Sequence, residues 1–374
     1  MTDTDIPARG RRRRVAALAL GVVLLAGACG DGDDADAEVT EASTDATTST
    51  SVGGGEAESS DTTVGGDVEP ADLGDRVVAT SFGEVEIPGG VETVLTLDAI
   101  TALNMVSVGV EPSRYADPNG AVILQGLLAE RGIELFEAGD GFSFNYESIA
   151  AEEPDLIVLT AGDGFDAIID PLSDIAPTIV LPFGSSWRDA VLDTGAIFDR
   201  SEEAAQVVEA LEGELALLAE EAATSPFSVS ILIQTFGILG SLSDDVAASS
   251  LIAEAGIERP AAQSGAEAMP GAPGLMDFSA EVLGDHDADF VVVMGGVFYD
   301  SDALQELPTF QGLPAVQDGR WGVADGDLWF AGHPFAVHWI LQDLRAIASG
   351  GGPDGLGVTG DADRRWAEFL ELVG

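Results

Sequence analysis

One apolar stripe constrains this chain more than any other feature. Between Ser201 and Ala223, the residues Ala204, Val208, Leu211, Leu215, Leu218 and Ala222 recur at intervals of four, three, four, three and four. That is one face of a single long helix. At about 1.5 Å per residue it runs for roughly 33 Å, the width of a small domain. Ser201 stands where a cap is expected, Glu202 and Glu203 face the positive end of the dipole, and Ser225-Pro226 ends the run.

Short apolar runs separated by helical stretches lie on both sides of this helix. Before it, strands are expected at Val77–Thr80, Val85–Ile87, Thr93–Leu97, Met105–Val108, Leu156–Leu159 and Thr178–Leu181. Helices are expected at Ala121–Arg131, Glu147–Glu152 and Asp166–Ala176. After it, strands are expected at Val229–Gln234, Phe290–Met294 and Gly322–Ala324. The helices there are Ala247–Ala255, Ala280–Leu283, Asp302–Leu307, Phe335–Ala348 and Arg364–Leu372. Such alternation implies βαβ units and mainly parallel sheets. The fold class is therefore α/β: two α/β lobes with mainly parallel sheets joined by one long α-helix; the resemblance given below adds a ligand cleft between the lobes. The lobes are placed at residues 76–198 and 225–374, with the connecting helix at 199–224. No repeat of 20–50 residues points to a solenoid.

The leading residues have a different character. Arg11–Arg14 precede Val15–Ala28, fourteen residues without a polar side chain. This run is too short to span a bilayer and reads as a secretory signal over residues 1–28. Ala26-Gly27-Ala28-Cys29-Gly30 resembles a bacterial lipobox, with Ala26 where leucine is commonest. That resemblance implies lipidation of Cys29, the only cysteine in the chain. Residues 30–75 hold fourteen acids, no base and hardly a large apolar side chain. They read as a disordered tether that like charges extend.

Composition then excludes whole classes. All fifteen basic residues are arginine, against 66 acids, for a net charge of −51. Nucleic acid is an unsuitable partner for such a surface. One cysteine cannot form a disulfide within the chain. From Arg76 onward ten arginines face fifty acids. No Gly-x-Ser-x-Gly, P-loop or His-Glu-x-x-His is present, so an enzyme is not expected. His286 reads as a turn residue, and His333 and His338, five apart, do not share a helical face. No resident metal or cofactor is expected.

Four segments resemble the periplasmic-binding-protein family that serves ferric siderophores and cobalamin. Asn145–Leu159 resembles its "N-x-E-x-I-x-A-x-x-P-D-L-I" signature, and Leu172–Thr178 its "L-x-x-I-A-P-T" turn. Phe278–Leu283 followed by Asp287–Val292 is similar to a second-lobe "S-x-E-x-L … D-A-D-x-I" segment. Leu313–Val316, Gly319-Arg320, Trp329 and Gly332-His333-Pro334 are similar to its closing motifs. The resemblance covers about residues 76–350.

It implies a lipid-anchored substrate-binding protein of an ABC importer, held at the outer face of the cytoplasmic membrane. Such a protein, expected as a monomer, hands a small-molecule metal chelate to a permease served by separate ATPase subunits. Ligands of open α/β sheets sit at the carboxyl ends of the strands. The candidate loops are 111–120, 161–166, 183–188, 235–239, 295–299 and 327–333. They supply Arg114, Tyr115, Trp187, Arg188, Phe236, Phe298, Tyr299, Trp329 and Phe330. Arg114 with Tyr115, then Arg188 beside Trp187, are the leading pairs. Glu147 and Glu281 fall where the family docks the permease through one glutamate per lobe. The negative body favours neutral ferric hydroxamates over anionic catecholates. Cobalamin, haem or a metal ion remain alternatives, as does an envelope sensor lipoprotein without a transport role.

Overall fold

A leading hairpin opens the folded part. The computed structural model describes residues 75–80, 82–117, 120–140, 143–162, 166–265, 268–270 and 272–374. The signal segment, Cys29 and the tether up to residue 74 lie outside the described residues. Arg76–Thr80 (β1) and Gly83–Ile87 (β2) pair antiparallel, in a register running from Arg76 opposite Ile87 to Thr80 opposite Gly83.

The first lobe is a parallel sheet. Its strands are Val94–Thr96 (β3), Arg114–Tyr115 (β4), Glu134–Leu135 (β5), Leu156–Ala161 (β8) and Thr178–Pro182 (β9), in the order β5-β4-β3-β8-β9. A two-pair hairpin, Gly139–Asp140 (β6) with Ser143–Phe144 (β7), stands apart from it. Five of the six residues of β8 are fully buried, as a strand covered on both faces requires. The second lobe is mixed. Val229–Thr235 (β10), Phe290–Gly295 (β13) and Trp321–Asp325 (β14) run parallel, while Ile238–Leu242 (β11) and Leu275–Asp277 (β12) extend the sheet antiparallel.

One device recurs in both lobes. The Asp155 carboxylate, just before β8, accepts from the backbone N–H of Glu92 and of Thr93 at 3.0 and 2.8 Å. Asp289, just before β13, accepts from the N–H and hydroxyl of Ser228 at 2.9 Å each. Each aspartate ties the start of its strand to the start of the parallel neighbour, β3 or β10. A structural reason thus stands behind the aspartate of both sequence signatures.

The long helix spans Ser201–Thr224 and buries Ala204, Val207, Leu211, Leu215, Leu218 and Ala222. Val207 takes the fully buried place expected for Val208, which packs partly buried beside it. Ser201 does not cap the helix. Arg200 occupies that position without a side-chain cap bond, and Ser201 is the first helical residue. The helix packs against Trp187–Ile197 of the first lobe and Pro334–Ala348 of the second. Gly195 makes the first contact possible, because a Cβ there would lie 2.4 Å from the Cβ of Ala204. One apolar cluster accordingly runs from Val94 and Leu103 through Leu211 and Leu218 to Trp339 and Phe369.

The run read as a strand at Met105–Val108 belongs instead to the helix Ala99–Ser107, which Asp98 caps by accepting from Thr101 N–H. All but one of its nine residues are buried, so its apolar residues show no one-sided period. The helix Trp187–Ile197 and the strands β4, β5, β11 and β12 were not anticipated either.

Leu211→Ala or Leu218→Ala should lower unfolding free energy by about 2–5 kcal/mol, read from urea denaturation. The exposed Glu209→Ala on the same helix should change it by less than about 0.5 kcal/mol.

Candidate ligand cleft

The carboxyl ends of the two sheets meet across a groove. From the first lobe come Asp117 after β4, Thr160 in β8 and Phe183 after β9. From the second come the Phe236-Gly237 turn after β10, Val297 and Phe298 after β13, and Asp325 to Asp327 at the end of β14. Phe183 and Phe330 stack across the groove, with centroids 6.0 Å apart and planes at 27°. Phe330 is seated against Val246 and Gly274, where a Cβ would lie 2.9 Å from its ring. Beside this stack lies a cleft of about 780 Å³, counted out to open solvent, with walls from both lobes. A smaller hollow of about 320 Å³ lies on the first lobe, between Ala116-Asp117 and Phe144.

The arginines expected in the cleft are committed elsewhere. The Arg114 guanidinium donates to Glu152 at 2.6 Å and to the Leu135 carbonyl at 3.2 Å, and lies 5.7 Å from the Phe136 ring centroid. Arg188 donates to Glu212 of the long helix at 2.8 Å and to both oxygens of Glu254, at 3.3 and 2.8 Å. It therefore ties the first lobe, the connecting helix and the second lobe together. Nine of the ten arginines from Arg76 onward stand in ion pairs. The tenth, Arg76, is on β1 near Asp199.

The aromatic candidates divide. Trp187 lines the cleft. Tyr115 is 1% exposed and belongs to the first-lobe core; burial and the nearby Asp117 push its phenol up to about 12. Trp329 is fully buried and donates through Nε1 to Asp343 at 2.9 Å. There it supports a carboxylate that also accepts from Arg365 and Gly357 N–H, each at 2.7 Å. Both residues were expected on the cleft surface, and burial places them beneath it. Tyr299 packs on Gly326, where a Cβ would approach its ring to 2.3 Å.

Phe236 is 77% exposed at φ +48°, followed by Gly237 at φ +79°. Thr235 pairs with Ile238, so these two residues form a hairpin turn whose left-handed positions favour Asn, Asp or Gly. A bulky residue is seldom held in that conformation. Its ring lies 6.0 Å from that of Phe298.

Acidic side chains stand at the facing strand ends. Burial, then Asp325 and Asp117, push the Asp327 carboxyl up to about 7. Burial also raises Asp325 and Asp98. Asp98 is held by Thr101 and by Thr160 N–H at 2.8 Å.

The histidines are structural. His286 is buried and stacked 3.6 Å from Phe278, which replaces the expected turn position. His333 caps the helix Pro334–Ala348 through Nδ1, and burial pushes it down to about 3. His338 Nδ1 lies 2.7 Å from Glu214 on the long helix. Among the described residues, no three His, Cys, Asp or Glu side chains are grouped to hold a metal ion.

Glu147 and Glu281 are both exposed. Each is the second residue of a short helix, after the caps Asn145 and Ser279 respectively. Sequence reasoning named loops at these strand ends but did not single out Phe183, Asp117 or Asp327. It missed Asn104, which lines the cleft from inside a helix and so has no loop signature.

Comparison with known proteins agrees with this geometry. The model of the family described as periplasmic binding protein matches residues 92–327. The chain is 26% identical over 283 residues to the ferric enterobactin-binding periplasmic protein FepB of Escherichia coli, covering 73% of this chain and 85% of the relative. Its fold is similar to petrobactin-binding YclQ of Bacillus subtilis, with TM-score 0.61 and 15% identity, over 74% of this chain and 99% of that one. It is similar also to Staphylococcus aureus SirA complexed with staphyloferrin B, with TM-score 0.60 and 18% identity, over 73% and 98%. The chain, with two α/β lobes and strand ends facing across a groove, belongs to the periplasmic binding protein family.

Proposed function

We propose that this protein is the substrate-binding component of an ABC importer and captures an uncharged ferric siderophore, with hydroxamate-type chelates preferred over anionic ones. The observation that carries the ligand class is the distribution of charge. Nine of ten body arginines are held in ion pairs, while Asp117, Asp325 and Asp327 stand at the facing strand ends. An anionic catecholate would meet carboxylates of its own sign there. The relatives' siderophore ligands support the general class of cargo. Phe183, Phe236, Phe298 and Phe330 offer faces for a large chelate.

Glu147 and Glu281 are the permease-docking pair in this reading. Their matching places on the two lobes suit charge-assisted pairing with arginines of a membrane partner. Cys29 carries the lipid, and residues 30–75 hold the body away from the membrane. The protein binds and delivers as a monomer, and the partner subunits hydrolyse ATP.

Tryptophan-fluorescence titration should show saturable binding of an uncharged ferric trihydroxamate. No response to any ferric hydroxamate, ferric catecholate, cobalamin or haem would refute the receptor assignment. Replacing Glu147 and Glu281 together by alanine should reduce uptake by about tenfold or more at unchanged ligand affinity; weakened affinity would refute their docking role. Cys29→Ala should move the protein from the membrane fraction to the soluble one, and continued membrane retention would contradict the anchor.

The Asp327 carboxyl sits above the ordinary carboxylate range, so it is protonated below about pH 7 and gains its charge as pH rises past that value. The affinity of a trianionic ferric catecholate should therefore fall by roughly tenfold between pH 6 and pH 8. Uncharged hydroxamate binding should stay nearly constant, and Asp327→Asn should flatten the catecholate profile.

A further inference from the structure

Two polar side chains beside the cleft are buried without a hydrogen-bond partner. Asn104, on the helix Ala99–Ser107, and Trp187, at the start of the next lobe-joining helix pair, are each 2% exposed. The Asn104 Oδ1 and the Trp187 Nε1 have no partner. Both residues line the same cleft, as does Asp245. A buried acceptor and a buried donor left unmade each cost about 1–3 kcal/mol, and of the unpartnered buried side-chain atoms these two belong to residues that line the cleft. Neither group helps to hold the fold through a hydrogen bond.

The rest of the wall has a consistent chemistry. Phe183 and Phe330 supply the stacked aromatic faces, and Thr160 and Ser250 supply hydroxyls. The arginines nearest in sequence, Arg188 among them, are turned to glutamates. This part of the cleft therefore offers apolar faces, hydroxyls, the Asp245 carboxylate, which accepts from the Ser243 hydroxyl, and the Asn104 acceptor and Trp187 donor.

We infer that Asn104 and Trp187 form a subsite for a secondary amide of the chelator, outside the iron's coordination sphere. The amide N–H donates to Asn104 Oδ1, and the amide carbonyl accepts from Trp187 Nε1–H. The planar amide and its flanking methylenes lie against Phe183 and Phe330. Iron-bound hydroxamate oxygens have no N–H to give, so the amides that join hydroxamate arms are the groups that satisfy both partners. The assignment rests on the reading of the protein as a receptor for uncharged ferric chelates and names the part of the chelate that is recognised.

The test uses isothermal titration calorimetry on the lipid-free full-length body with its tether. The probes are two uncharged ferric trihydroxamates of equal length, one with backbone secondary amides and one with methylene spacers in their place. The wild-type protein should prefer the amide-bearing chelate by about tenfold or more. Asn104→Leu and Trp187→Phe should each weaken that chelate by about five- to twentyfold and leave the methylene chelate within twofold, so that the preference disappears. Thermal melts identify any variant that has not folded, and the comparison of the two chelates on wild-type protein decides the matter without a variant. Equal wild-type affinity for both chelates, or an undiminished preference in both variants, would overturn the subsite alone. Failure of the wild-type protein to bind either chelate would overturn the receptor assignment together with it.

Discussion

The packing of one helix between two lobes is the constraint on which the rest of the molecule depends. Ser201–Thr224 buries a single stripe, and that stripe touches a helix of each lobe. The resulting core is continuous from one lobe to the other. Interiors packed to crystal density do not deform smoothly, so the lobes cannot swing apart on this helix without exposing shared apolar surface. Polar ties reinforce the arrangement: Arg188 reaches Glu212 and Glu254, His338 reaches Glu214, and Arg345 reaches Glu221.

That architecture also decides where the scarce positive charge goes. With ten arginines and fifty acids from residue 76 onward, each arginine has carboxylates within easy reach. Buried or half-buried ones go to structural posts. Arg365 pairs with the fully buried Asp343 at 2.7 Å and lies over Trp339, and Arg259 pairs with Asp244. The groove is left with aspartates, hydroxyls, amides and aromatic rings. Under the proposed function, selectivity against anionic chelates would follow from ordinary Coulomb repulsion.

The sequence disclosed the architecture better than the site. Periodicity exposed the long helix because its apolar residues are one-sided, and it exposed β8, β10 and β13 because those runs are short, apolar and bounded by turns. It failed at Ala99–Ser107, which is buried on nearly every side and has no polar face to reveal its period. Strands of two residues such as β4 and β5 are defined by pairing with distant partners, which no local pattern records. The same limit governs the site. Arg114, Arg188, Tyr115 and Trp329 lie at or next to the facing strand ends, yet their side chains turn to other partners: Glu152, Glu254, the first-lobe core and Asp343. Phe236 could be read because its turn is local, while Asn104 could not, because a helical asparagine facing a cleft looks like any other.

The most direct measurement is a crystal structure of the protein loaded with an uncharged ferric trihydroxamate. The expected result is a chelate between Phe183 and Phe330, with an amide on Asn104 and Trp187 and with Arg114 and Arg188 still on their glutamates. A chelate held by an arginine that has left its ion pair, or seated outside the groove, would contradict it.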